Sequence, residues 1–153
     1  MKKFELTSEF VTFLGKKLFR IKALISFGNV EEGELGGYVE KEENLSNDGN
    51  AWVYGDARVY GDARVSGDAE VSGDAEVSGN ADYATVQGFG SGYRTTTFFR
   101  TKAGDIGVRC GCFYGTLEEF RTKVKETHKE TKTAKEYLMV ADLMEFRFLK
   151  EEV

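Results

Sequence analysis

The sequence predicts a mainly β fold: a short β-helix of hexapeptide repeats, an N-terminal β-hairpin cap and a small C-terminal α+β module. Three observations carry this expectation. Six hexads run without a break from Gly49 to Ala84. Upstream, two apolar runs flank a glycine-containing turn. Downstream, two capping boxes introduce helical patterns. The expected divisions are residues 1–48 for the cap, 49–84 for the repeats and 85–153 for the C-terminal module.

The hexads read GNAWVY, GDARVY, GDARVS, GDAEVS, GDAEVS and GNADYA. Alanine and valine keep phase through them, and Tyr83 takes the valine place in the last. A period of six with one aliphatic and one small position fits a flat side plus a corner. Three hexads then close one triangular coil. Valine and the alanine two places before it point inward, as strand alternation requires. Gly and Asp or Asn supply corner geometry. Stacking at 18 residues places Arg58 against Glu76, Arg64 against Asp82 and Trp52 against Glu70. It also stacks Val53 on Val71, Val59 on Val77 and Val65 on Tyr83. A flexible Gly/Asp spacer would not hold this phase, and calcium-binding repeats have a period of nine.

The hexads alone make only two coils, fewer than the roughly three units a repeat stack needs. Gly36 to Glu40 and Leu45 keep a weakened phase and extend the stack upstream. Open coil ends would need covering, which predicts self-association. Trp52, Tyr54 and Tyr60 are the large outward candidates for that interface.

On the N-terminal side, Phe10 to Leu14 and Leu18 to Leu24 read as a hairpin around Gly15-Lys16-Lys17. After Tyr83, the segments Tyr93 to Arg100 and Gly107 to Phe113 read as a second hairpin around Lys102 to Asp105. Thr116-Leu117-Glu118-Glu119 is a capping box, and Leu117, Phe120 and Val124 share the face of the helix it starts. Thr133 to Glu136 reads as a second box, before a helix burying Tyr137, Leu138, Ala141 and Met144. The tail Glu145 to Leu149 alternates and predicts a final strand.

Composition limits the function. At 153 residues and 17.1 kDa, the chain can bury a core without staples. An apolar content of 41% argues against general disorder. Proline is absent, where average usage would give about seven or eight. Interior strands that donate to ladders on both sides explain that. No run reaches the roughly 18 to 20 apolar residues of a membrane span, and the start lacks the pattern of a signal peptide. Cys110 and Cys112 are too close in a strand for an unstrained mutual disulfide, which suits a reducing cytoplasm. The net charge of -5 is segregated: residues 49–84 carry 2 basic and 7 acidic groups, residues 85–153 carry 12 and 10. A nucleic-acid coat is disfavoured, because phosphate binding needs a continuous basic face.

Leu35 to Glu40, Asn44-Leu45-Ser46 and the Gly-Asp-Ala-Arg-Val hexads resemble a family of phage and prophage proteins with left-handed β-helix repeats. These are often labelled transferases or polymer-forming proteins by fold analogy. The resemblance spans about residues 4–84. Gly111-Cys112-Phe113, Gly115-Thr116-Leu117 and Lys135 to Leu138 resemble an uncharacterised module common in phage genes. The resemblance implies a phage or prophage origin, a left-handed coil, a trimeric homo-oligomer and residence in the cytoplasm of a bacterial host. It supplies no catalytic residue.

Hexapeptide β-helices often catalyse acyl transfer, which needs a histidine base near a coil. The one histidine, His128, falls at a predicted helix end, where it can simply complement the dipole. It also excludes a three-histidine zinc centre, and two cysteines with one histidine do not fill a closed zinc site. No metal or cofactor is expected. Between residues 85 and 116, Arg94, Arg100, Lys102 and Arg109 are interleaved with Tyr93, Phe98, Phe99, Phe113 and Tyr114. Arginine forks with stacking rings suit an anionic planar ligand. The helix start at Thr116 and Leu117 offers backbone N–H groups to a phosphate. An ordinary solvated hairpin over an aromatic core accounts for the same residues. The expected function is therefore a non-enzymatic oligomeric phage accessory protein. It would sequester an anionic, nucleotide-like ligand or a host defence component through Tyr93, Arg94, Arg100, Lys102, Arg109, Tyr114, Thr116 and His128. The alternatives are an acyltransferase-like enzyme with His128 as base and a purely structural assembly module.

Overall fold

A computed structural model describes residues 2–89, 95–111 and 113–148. The chain is mainly β, with two helices at its C-terminal end. Strands β1 (Phe4–Phe13) and β2 (Lys16–Ala23) make the expected antiparallel hairpin. Its turn is Leu14-Gly15, both at positive φ (50° and 76°), as a type I′ turn demands. Lys16 and Lys17, expected in the loop, instead pair with Phe13 and Thr12. Strand β3 (Leu35–Val39) adds antiparallel to β2.

The hexads contribute four short strands: β4 (Trp52–Val53), β5 (Arg58–Val59), β6 (Glu70–Val71) and β7 (Glu76–Val77). β4 pairs in parallel with β6, and β3, β5 and β7 pair in parallel in that order. The partners are Trp52 with Glu70 and Arg58 with Glu76, the expected 18-residue register. The weakened upstream phase also holds, since Val39 pairs with Val59 and Leu45 bridges Val65. That step is two residues longer than the hexad step, the excess lying between Leu45 and Val53.

The phase dictates burial. Ala51, Ala57, Ala63, Ala69 and Ala75 are buried, and so are Val53, Val59, Val65, Val71 and Val77. Four of the corners are four-residue turns. Ala57 N–H donates to Tyr54 O, Ala63 to Tyr60, Ala69 to Ser66 and Ala75 to Ser72. The residue after each acceptor is Gly55, Gly61, Gly67 or Gly73, at φ between 60° and 65°. A positive φ at that place is the type II′ requirement, which side chains resist. Gly37 answers to space instead, because a Cβ there would lie 2.5 Å from Ala57 O.

The sixth hexad leaves the pattern. Asn80–Asp82 form a single 3₁₀ turn and Ala81 is exposed. Tyr83 is half-buried, donates its hydroxyl to Arg64 O at 2.6 Å and opens β8 (Tyr83–Val86). With β9 (Thr96–Arg100), β10 (Ile106–Cys110) and β11 (Phe113–Thr116), β8 forms an antiparallel sheet in the order β11-β10-β9-β8. Helices α1 (Leu117–His128) and α2 (Lys132–Phe148) complete the chain.

Alternation gives this sheet two working faces. Phe98 and Val108 join Leu117, Phe120, Tyr137, Ala141 and Met144 in the helical core. Phe99, one residue on, belongs to the core of the repeats. Gly107, paired with Phe99, leaves room for its ring, since a Cβ would meet it at 2.3 Å.

Both ends of the repeat stack are covered within one chain. At the N-terminal end, Phe4, Ile21, Ala23 and Val30 join the repeat core. The Lys3 ammonium, also buried, donates to Ala51 O at 2.7 Å and lies 4.7 Å over the Phe27 ring. At the other end, Ala75 bridges Thr101 and Glu70 N–H donates to Thr97 Oγ1. The open ends that motivated self-association are therefore closed internally. The three aromatic interface candidates have internal partners too. Trp52 is fully buried, edge-on to Phe4 and Phe27, so it does not face outward. Tyr60 meets Phe13 edge-on at the tip of the first hairpin. Tyr54 is half-buried beneath Arg109.

Two C-terminal expectations change. The second helix starts at Lys132, with Thr131 Oγ1 accepting from Ala134 N–H, rather than at a box on Thr133. The alternating tail is not a strand: Glu145 to Phe148 continue α2. Phe148 prolongs the buried row of Tyr137, Ala141 and Met144, and that helical contact outweighs a four-residue alternation.

Candidate functional site

The sheet's two faces separate the arginines expected to act together. Arg109 lies on the face toward the repeats. Its Nε donates to Glu70 Oε2 at 3.1 Å and its Nη1 to Ser72 Oγ at 3.2 Å. The guanidinium sits 4.3 Å from the centre of the Tyr54 ring. Arg100 lies on the helical face, donating to Asp82 Oδ1 at 2.8 Å and to Phe148 O at 3.0 Å. One ligand does not reach both, and each fork is already held by a carboxylate.

The remaining expected residues are dispersed. Lys102 is exposed in the β9–β10 turn, its backbone N–H on Asp74 O. Tyr114 stacks on Phe99, and its hydroxyl accepts from Asp74 N–H at 3.3 Å at the Gly73 corner. Thr116 and Glu119 form the expected capping box, with Thr116 N–H on Glu119 Oε1 and Glu119 N–H on Thr116 Oγ1. The Glu119 carboxylate thus takes the amide expected for a phosphate. His128 closes α1 with its ring against Tyr137. Tyr93 and Arg94 lie outside the described residues, as does Cys112.

A different constellation forms where the repeats meet the C-terminal sheet. A cleft of about 340 Å³ is lined by Asn29, Asn50, Tyr54, Asp68, Glu70, Gln87 and Thr95, with Gly28 and Gly111 at its edges. The hexad register builds one wall, because the 18-residue step sets Asn50 above Asp68, with Trp52 and Glu70 paired next to them. The cap segment brings Asn29, and the segments next to β8 and β9 bring Gln87 and Thr95. Burial, with the Glu70 carboxylate beside it, pushes the Tyr54 hydroxyl up to about 12, so it remains a neutral donor. Arg109 neutralises Glu70 and fixes the Tyr54 ring, so the wall is pre-organised. Three carboxamides, two carboxylates and two hydroxyls can exchange hydrogen bonds with a polar ligand, and the Tyr54 ring offers an apolar face. Among the lining residues none is cationic.

Of these residues, the sequence offers Tyr54 as an interface aromatic and Glu70 as a stacking partner only. The column Asn50–Asp68 is implicit in the 18-residue step. Asn29, Gln87 and Thr95 belong to irregular segments whose approach depends on tertiary packing.

No protein-family model and no curated protein matches the chain.

Proposed function

We propose that the protein is a non-enzymatic binding module. A short left-handed β-helix and the C-terminal sheet together form its cleft, which takes a small neutral ligand of the sugar or nucleoside class. The lining of the cleft carries this reading. Carboxamides and carboxylates lining one cleft match vicinal hydroxyl groups, and the absence of a cation among the lining residues disfavours phosphate. The β-helix reading rests on the 18-residue parallel register and the repeated turn at Gly55, Gly61, Gly67 and Gly73. Its hand rests on the resemblance to phage repeat proteins. That resemblance also supports an accessory role in the cytoplasm of a bacterial host, with counter-defence by sequestration as the use of such a cleft. The packing of His128 on Tyr137 in the helical layer favours binding over acyl transfer.

Calorimetric titration with neutral monosaccharides, nucleosides and nucleotides tests the reading, guided by native mass spectrometry of the purified protein. A neutral ligand is expected to bind with little salt dependence, and Asp68→Asn should weaken it about tenfold. Binding confined to nucleotides and abolished by Arg109→Gln would overturn this in favour of an anionic ligand. No binding at all would favour the purely structural module.

A further inference from the structure

Strand β8 is an open edge of the C-terminal sheet. It pairs with β9, and outside that ladder its backbone makes no hydrogen bond among the described residues. Alternation turns the N–H and C=O of two of its four residues outward. Exposed edges are commonly blunted by charge, proline or a bulge. The edge strand β1 follows that rule, with Glu5, Glu9 and a register shift between Leu6 and Phe10. β8 does not: Tyr83-Ala84-Thr85-Val86 is uncharged and pairs in unbroken register.

The edge borders a groove of about 660 Å³ whose other wall is α2. Ala84 and Thr85 line the strand side, and Leu143, Phe146 and Arg147 line the helix side. Leu143 and Phe146 are 57% and 76% exposed. The unpaired edge selects the occupant, because only an extended backbone completes a ladder. A strand added there sets every second side chain against the apolar helix wall. Arg147 adds a charge requirement. Its guanidinium reaches Asn80 O at 3.5 Å and forms no ion pair among the described residues, unlike Arg100, Arg109 and Arg121. It stands at the end of the groove where β8 begins.

We propose that β8 and α2 bind an extended segment of a partner protein, which adds as a fifth strand antiparallel to β8. That sense continues the ladders of the whole sheet. It brings the C-terminal end of the segment to Arg147, where an acidic side chain pairs with the guanidinium. Apolar side chains at alternate positions before it lie on Leu143 and Phe146. The groove shares no lining residue with the ligand cleft, so neither reading rests on the other.

Fluorescence anisotropy of the full chain with labelled peptides of the form X-Thr-X-Thr-Glu-amide, X being Val, Leu or Phe, tests this. At least one should bind with a Kd of about 10–500 μM. Arg147→Glu should weaken it at least about fivefold with an unchanged circular dichroism spectrum, and a peptide with Lys for Glu should restore it. Of two peptides N-methylated on alternate amides, one should lose binding and the other keep it, since alternate residues face the edge. No binding by any peptide at about 1 mM, equal binding of the two N-methylated peptides, or indifference to Arg147→Glu overturns the proposal. Dimers in sedimentation velocity that exclude the peptides overturn it too, because a second copy then fills the groove.

Discussion

Asn44 stands in for a strand that is not there, and its removal tests how the upstream turn is held. The residue is fully buried at the end of the 3₁₀ turn Glu42–Asn44. Its Nδ2 donates to Ala63 O at 2.8 Å and to Gly61 O at 3.2 Å, and its Oδ1 accepts from Lys41 N–H at 2.9 Å. One carboxamide thus serves three backbone groups. Asn44→Ala leaves them without that partner. The bond to Ala63 is buried, and such a loss costs about 1–3 kcal/mol. The other two are partly buried and add about 0.5 kcal/mol each after rehydration. The sum is about 2–4 kcal/mol, or a fall in Tm of roughly 5–15 °C for a chain of this size. Asn44→Asp separates hydrogen bonding from packing. It keeps the shape and the acceptor but sets a carboxylate oxygen against the Ala63 carbonyl. Urea titrations at pH 7 should show Asn44→Asp at least as destabilised as Asn44→Ala. An Asn44→Asp protein within about 0.5 kcal/mol of the parent would refute the account and assign the role to volume alone.

Two further outcomes follow from the cap. Leu14 sits at positive φ in a turn that favours Asn-Gly, so Leu14→Asn should stabilise the protein by about 0.5–1 kcal/mol, read from the urea midpoint. Burial pushes the Lys3 ammonium down to about 8, from 10.5 for a free lysine. Below pH 8 the group is charged in both the folded and unfolded chain and its desolvation cost is in full force. Between about 8 and 10.5 only the unfolded chain holds the proton, so stability rises with pH. Denaturation across this window should show a gain that Lys3→Met lacks, and equal slopes for the two proteins would contradict it.

The repeat was legible because its period is a local property. Gly55 to Ala57 and Val59 carry their conformations and burial in their own order, and three hexads set the register that pairs Val59 with Val77. Even the weak phase of Val39 and Leu45 survives into pairing. The candidate site was much less legible. Trp52 occupies an outward place in its strand, and Phe4 and Phe27, far along the chain, turn that place into core. The fate of Arg109 is set by Glu70, and that of Arg100 by Asp82, neither of which is a neighbour in sequence. Alternation alone does separate them: an even and an odd position on hairpin-paired strands can lie on opposite faces, a consequence available from β-period reasoning. The tail misleads for the converse reason, since Phe146 and Phe148 satisfy both a short alternation and the two faces of a helix.

The sheet β8–β11, with Phe98 on one side and Phe99 on the other, bears on how such a chain can be inherited. A recombination joint placed after the sixth hexad would strip Phe99 and Thr97 from the repeats and leave Ala75 and Val77 facing water. A helical hairpin transferred without β9 and β10 would lose Phe98 and Val108. Exchange that keeps β9 and β10 whole leaves both cores intact. The alternating residues of β9 serve both halves, so neither sequence region keeps its core without the other.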